Sequence, residues 1–353
     1  MTSFRRALAG EPSRVPPIWL MRQAGRYHSH YQRLRAVHSF DTICRTPELA
    51  AQVALGPIED FDFDAAILFS DLLFPLDALG LRVSYEGGRP AVDGPLTFER
   101  LELFHPMEEA LSRLAFQRDA VCLTRARLTP SKGLIGFIGG PWTLFVYAVE
   151  GSHAGPLSRA RAGLPTVARV NVGKRERRLA LYNEFAARIV PVLIESARQQ
   201  FEAGADIVMM FDTAAGALPP DVYAGDVARD VRAIVTAHPG KVGYYARDFS
   251  DAHQTAAGFD TMPLAGVGLD MHRDLAAALR TAHGFIHGNL DPPDLLLTGA
   301  SLEQALERFV APLRALDAET RRGWMCGLGH GVLPGTPEDS VRRFVTFIRE
   351  TFA

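Results

Sequence analysis

Two arginines stand four positions apart in Met21-Arg22-Gln23-Ala24-Gly25-Arg26-Tyr27, directly after the apolar run IWLMR, and Arg35 follows. A guanidinium is planar, permanently charged and forked, so it grips a carboxylate through paired N–H donors where an ammonium offers only a point charge. Gly25 between them permits close approach of backbone to a ligand. The segment therefore suits a small molecule carrying several carboxylates. The competing reading is a solvated loop paired to Asp41 or Glu48.

Further along, Asp71, Asp212, Asp270, Asn289 and His330 each stand at or just past the end of a short apolar run. Carboxylate, amide and imidazole groups are the side chains with which a site binds polar ligands. If the runs are strands of a barrel, their C-terminal ends converge on one face, where catalytic residues are found. At any single position, a polar residue that merely ends a strand is the alternative.

The elements that must position these residues are eight apolar runs, at 18–22, 65–71, 134–140, 206–212, 241–246, 266–270, 284–289 and 324–330. Each is short enough for a strand covered on both faces and is bounded by Gly, Pro or charge. Between them lie helical patterns. One spans 176–205 with Pro191 as a kink and Gly204 as its stop, and the last, EDSVRRFVTFIRETF, puts Val341, Phe344, Val345, Ile348 and Phe352 on one face. Thr336 and Pro337 supply a cap and a first-turn proline for it. No linker or low-complexity stretch divides the chain, so one α/β domain over 1–353, a single (β/α)8 TIM barrel, is expected, with a doubly wound open sheet as competitor.

The net charge of −2 gives no motive for sequence-independent nucleic-acid binding. Cys44, Cys122 and Cys326 are widely spaced, which argues against a disulfide framework and for a reducing compartment. The N-terminus lacks an apolar signal core and no apolar run approaches the roughly 18 residues of a membrane span, so a cytoplasmic protein is expected. Neither GLGHG nor GFIGG has dinucleotide-binding spacing, and no P-loop occurs.

PPIWLMRQAGRY resembles the opening signature of the uroporphyrinogen decarboxylases. The likeness continues in order through ILFSDLLFPLDALG, GFIGGPWTLFVYAVEG, FDTAAG, HGNLDP and GLGHGVLPGTP, over residues 16 to about 340. The resemblance implies a (β/α)8 barrel, a homodimer, and removal of carbon dioxide from the four acetate groups of uroporphyrinogen without metal or other cofactor. Residue by residue, it makes Arg22 and Arg26 carboxylate ligands, Gln23, Ala24 and Gly25 the backbone cradle between them, and Asp71 the group that meets the central pyrrole N–H groups. Tyr147, Thr213 and His330 become the remaining substrate contacts, with Asp71, Arg22, Tyr147 and His330 carrying catalysis.

The chain also departs from the family pattern, at His28-Ser29-His30, Gln32, Ala214, Met271, His287 and Gly327, and in the helix over 221–235; the stretch 152–176 is hard to align. Two rivals remain. A zinc-dependent methyltransferase on a related barrel would need clustered soft ligands, whereas only Cys326 lies near a histidine, His330. A tetrapyrrole-binding protein that has lost turnover would bind without releasing carbon dioxide.

Overall fold

A computed structural model describes the chain except for residues 86–89, 154 and 171–179 and the side chains of 168–170. The part of the 176–205 helical pattern before Ala180 thus falls outside the described residues, as does most of the poorly alignable stretch's end.

Nine strands are present among the described residues: β1 (Ala65–Ile67), β2 (Val83–Ser84), β3 (Ala91–Val92), β4 (Gly133–Gly139), β5 (Ile207–Phe211), β6 (Val242–Tyr245), β7 (Gly266–Gly268), β8 (Phe285–Leu290) and β9 (Trp324–Leu328). Seven form one parallel sheet in the order β1-β4-β5-β6-β7-β8-β9, and β2 and β3 pair antiparallel outside it. The sheet follows chain order without a skip, because each connection carries the chain through a helix and back one step along. Register places Ile67 opposite Ile135, Gly139 opposite Phe211 and Leu290 opposite Leu328. Strands β4, β5, β6, β8 and β9 are buried along their whole length, as apolar runs covered on both faces are, with His287 and Asn289 the buried polar residues of β8.

The run at 18–22 is not a ladder strand. Only Ile18 bridges, in parallel, to Cys326. Cys326 N–H donates to Pro17 O (2.8 Å) and Trp19 N–H to Cys326 O (3.2 Å), while on the other flank Asp64 N–H donates to Ile18 O (2.8 Å). The run therefore touches β9 on one side and Asp64, the residue before β1, on the other, with a few bonds. Pro16 and Pro17 have no N–H to extend pairing at its start. At its end Gln23 N–H closes a turn on Leu20 O (3.0 Å) and Arg22 takes φ 61°, ending the extended path.

The helix Leu181–Glu202 runs through Pro191 and stops before Gly204, whose φ is 108°. Its buried Gln200 accepts from Phe137 N–H (2.8 Å) and donates to Phe137 O (3.0 Å), docking the helix on β4. The last helix, Glu338–Phe352, buries Val341, Phe344, Val345, Ile348 and Phe352 as its periodicity dictates. Its cap differs from expectation. Pro337 occupies the N-cap position and Thr336 Oγ1 is buried without a partner, since the helix begins one residue too late for Thr336 to reach a free N–H. No helix among the described residues is long and apolar enough to cross a membrane.

Candidate active site

Arg22 is the hub. Its backbone sits in the left-handed region, a conformation that costs a non-glycine residue on the order of 1 kcal/mol and is held here by its neighbours. Gly25 passes so close that a methyl on it would stand 2.8 Å from Arg22 O. Gln23 is fully buried and fixes the loop to the sheet, accepting from Leu20 N–H (3.0 Å) and donating to Ala65 O (2.9 Å). Ala24 is buried beside it. Gln23 and Ala24 are thus the footing of the loop, while Arg22 and Arg26 are exposed, and among the described residues neither makes an ion pair. Asp41, the expected surface partner, is engaged with Arg45 (2.8 Å).

Asp71 lies just beyond β1. Leu73 N–H donates to its Oδ1 at 2.9 Å. The Tyr85 hydroxyl lies near enough to favour the ionised form but outside hydrogen-bonding geometry. Burial raises the Asp71 pKa, and the Leu73 N–H, Tyr85 and the Arg22 guanidinium oppose that rise. The same two charges act on Tyr147: burial lifts its pKa to about 12, Asp71 adds to the rise and Arg22 opposes it. Tyr147 is therefore a hydroxyl donor at neutral pH.

Tyr147 is carried by the helix Pro141–Glu150, whose first turn is clipped to the end of β5. Gly140 has no side chain to cap that turn, so Asp212 from the neighbouring strand does so, accepting from Thr143 N–H (2.8 Å) and Thr143 Oγ1–H (2.6 Å). Thr143 Oγ1 accepts in turn from Ala214 N–H (3.0 Å), and Trp142 Nε1 donates to Ala214 O (3.1 Å). These bonds hold Thr213, between Asp212 and Ala214, with its side chain half-buried and no hydrogen bond to the hydroxyl among the described residues.

His330 follows β9 and stacks on Tyr245, with ring centroids 6.0 Å apart. The Tyr245 hydroxyl donates to Gly329 O (2.8 Å) and also lies 2.9 Å from His330 Nδ1. One O–H has one proton, so both contacts are satisfied together only when Nδ1–H donates to Tyr245, leaving Nε2 as an acceptor. Burial, with Arg22, Arg247 and His153, pushes the His330 pKa down to about 4, so the ring is neutral at pH 7.

Arg22 thus acts electrostatically on Asp71, Tyr147 and His330 together. Of the expected site residues, these four are electrostatically linked; Gln23, Ala24 and Gly25 belong to the footing of the Arg22 loop, Arg26 follows on the same loop, and Thr213 stands between Asp212 and Ala214. Such a centre holds guanidinium forks with no ion-pair partner among the described residues, a carboxylate that accepts an N–H, and a buried phenol hydroxyl. The family model for uroporphyrinogen decarboxylase matches residues 1–351. The chain belongs to the uroporphyrinogen decarboxylase family. The uroporphyrinogen decarboxylase of Chloroflexus aurantiacus is 34% identical over 98% of this chain and 95% of its own, and that of Acidiphilium cryptum is 36% identical over 98% and 93%. A methyltransferase from Methanosarcina mazei shares the fold, with TM-score 0.77 at 18% identity over the full length of both chains.

Most of the single-residue departures from the family pattern have structural explanations. His28 is buried with Nε2 at 2.7 Å from Asp60, His30 packs into the space left by Gly56, and Gln32 clasps the Arg26 carbonyl (2.7 Å). His287 stacks on Trp19 at 3.8 Å and meets Trp19 O at 3.1 Å, and Gly327 leaves room for its ring. Met271 backs onto Gly329, and Ala214 supplies the carbonyl that Trp142 uses. Cys326 is fully buried in an apolar layer with Ile18 and Leu328. Asp212, Asp270 and Asn289 carry the same strand-end signal as Asp71 but are buried organisers: Asp270 accepts from Asp248 and His272 N–H groups, and Asn289 donates to Asp270 O and Arg273 O. Two residues without an assigned role belong to the centre. Arg247, just past β6, and His153, beyond the Tyr147 helix, both act on His330. Arg247 obeys the strand-end rule and was legible by it; no local pattern marks His153.

Proposed function

We propose that this chain removes carbon dioxide from the acetate side chains of uroporphyrinogen, binding carboxylates through Arg22 and Arg26 and centring the macrocycle on Asp71. Membership of the family makes it a carboxy-lyase of tetrapyrrole synthesis; the residue roles rest on Arg22, which has no ion-pair partner among the described residues and whose stem packs against Gly331 beside His330, the observation that carries the reading, and its charge favours the anion of Asp71 and of Tyr147 and the neutral ring of His330.

A pyrrole protonated at a ring carbon becomes a cation. The bond from the acetate methylene to its carboxylate breaks, carbon dioxide leaves, and the electron pair forms an exocyclic double bond that neutralises the ring. Protonation of that carbon makes the methyl group and loss of the ring proton restores the pyrrole. The ring is its own electron sink, so no metal or prosthetic group is required. Asp71 accepts pyrrole N–H groups and stabilises the cation. Arg22 and Arg26 hold carboxylates, Thr213 offers a free hydroxyl, His330 offers an acceptor at Nε2, and Tyr147 is the donor.

A closed (β/α)8 barrel over 1–353, with 18–22 as its remaining stave, is supported by the bonds from that run to β9 on one flank and to Asp64, just before β1, on the other. A homodimer is what the family resemblance implies, and a cytoplasmic location is supported by the free thiols Cys44, Cys122 and Cys326. The test is anaerobic incubation with chemically reduced uroporphyrin and chromatography of the oxidised products. Coproporphyrin, reached through partly decarboxylated intermediates, is expected; recovery of unchanged substrate from folded protein overturns the reading.

A further inference from the structure

Each conversion of an acetate to a methyl group releases carbon dioxide and consumes one proton, so a site that repeats the step must be reloaded from water while the macrocycle covers it. Tyr147 is buried, with 8% of its surface exposed, so its own contact with water is slight. Its hydroxyl is hydrogen-bonded to Nδ1 of His153, and the two rings lie 5.2 Å apart. His153 stands two residues beyond Gly151, whose φ of 78° ends the helix, and it is exposed to solvent.

We propose that His153 is the proton carrier that reloads Tyr147, a role that rests on the reading of Tyr147 as the donor to substrate. Swung outward, neutral His153 takes a proton from water or a buffer acid at Nδ1 and becomes imidazolium. Swung back, it gives that Nδ1 proton to the Tyr147 oxygen as the Tyr147 O–H passes its own to the substrate carbon. Tyr147 ends as a neutral phenol, His153 as a neutral imidazole, and one solvent proton has entered the methyl group.

The charged and titratable groups facing the pair are Arg22 from the first loop, Asp71 after β1, Arg247 after β6 and His330 after β9. Partial desolvation of the ring, which is exposed on one side only, then Arg22 and Arg247, lower the His153 pKa from its ordinary 6.5. The imidazolium is thereby scarce at neutral pH but a strong donor when formed, which suits a carrier that must discharge into a phenol. His330, neutral with its Nδ1–H committed to Tyr245, does not compete for this role.

The test uses the full chain with uroporphyrinogen under anaerobic conditions. His153→Gln keeps a hydrogen-bonding side chain beside Tyr147 but cannot carry a proton. With KM unchanged, kcat falls about tenfold or more, and the rise of kcat as pH drops toward the His153 pKa flattens. In His153→Ala, added imidazole restores kcat in proportion to its protonated form. Wild-type kcat and an unchanged pH profile in both variants, or a raised KM with intact kcat, overturn the carrier. Tyr147→Phe separates the failures. If Tyr147→Phe is impaired while the His153 variants are not, the carrier alone is wrong; if Tyr147→Phe is unimpaired, the donor reading beneath it falls as well.

Discussion

Gly331 lies against the aliphatic stem of Arg22, so that a methyl group on it would stand 2.4 Å from Arg22 Cδ and 3.0 Å from Nε. The loop after β9 therefore sets where the guanidinium points, although the guanidinium itself comes from the other end of the chain. Gly331→Ala should leave the fold intact, since the methyl meets a flexible side chain rather than backbone, and should displace Arg22 from the shared centre. A shift of about an ångström at such a site costs on the order of tenfold to a hundredfold in kcat/KM. Steady-state kinetics beside an unchanged melting curve checks it, and unaltered kcat/KM would show that Arg22 placement is not critical.

Arg26 is exposed and makes no ion pair among the described residues, which leaves its fork free for a ligand carboxylate. Arg26→Lys keeps the charge and loses the paired donors. KM should rise about tenfold with little change in melting temperature, the difference between a bidentate contact and a point charge being on the order of 1 kcal/mol. Arg22→Lys should cost at least as much, because Arg22 also sets the potential at Asp71, Tyr147 and His330.

Asp212 is fully buried, and burial raises its pKa to about 6 in spite of the Thr143 and Tyr244 hydrogen bonds. A carboxyl whose folded pKa exceeds its unfolded value of 3.8 is easier to ionise in the unfolded chain, so its contribution to stability declines as pH rises through that interval and stays low above it. Asp212→Asn can keep the acceptor for Thr143 while removing the charge. The stability of Asp212→Asn relative to wild type should therefore be greater at pH 8 than at pH 5, by about 1 kcal/mol. Denaturant unfolding at the two pH values measures it; a constant difference would mean that Asp212 titrates normally.

Which parts of this arrangement were legible follows from what each residue's neighbours demand. Arg22, Asp71 and His330 announce themselves as polar groups after apolar runs, and the structure brings them to one centre. Asp212, Asp270 and Asn289 give the same local signal yet are consumed by backbone N–H and C=O groups of adjoining loops, a demand visible only once the strands are side by side. The run 18–22 has the hydropathy of a strand, but Pro17 before it and the left-handed turn at Arg22 after it confine its pairing to Ile18. Thr336 looks like a cap in sequence and misses by one residue in space. His153 lies past the end of its helix with no periodicity to mark it, and its relation to Tyr147 depends on the turn at Gly151.

Asp71 is where the proposed chemistry is most exposed to test. Asp71→Asn is nearly isosteric, and Leu73 N–H can still be accepted by an amide oxygen at the position of Oδ1, so the turn after β1 should hold. The other position becomes an amide nitrogen, which points donors at pyrrole N–H groups that need acceptors, and the charge that stabilises the protonated ring is gone. By analogy with removing one preorganised group from an oxyanion site, the loss is roughly 3 kcal/mol or more, a fall in kcat on the order of 10² to 10³. Asp71→Glu retains charge but displaces it by about an ångström, and should be impaired less. The pH dependence adds a second readout. Because burial raises the Asp71 pKa above 3.8, wild-type kcat/KM should fall on acidification at a pH above the ordinary aspartate range, as protonation removes the anion. That limb should vanish in the residual activity of Asp71→Asn. A folded Asn variant with near wild-type turnover, or one that keeps the same acid limb, would show that another group carries the charge and that Asp71 only holds the turn.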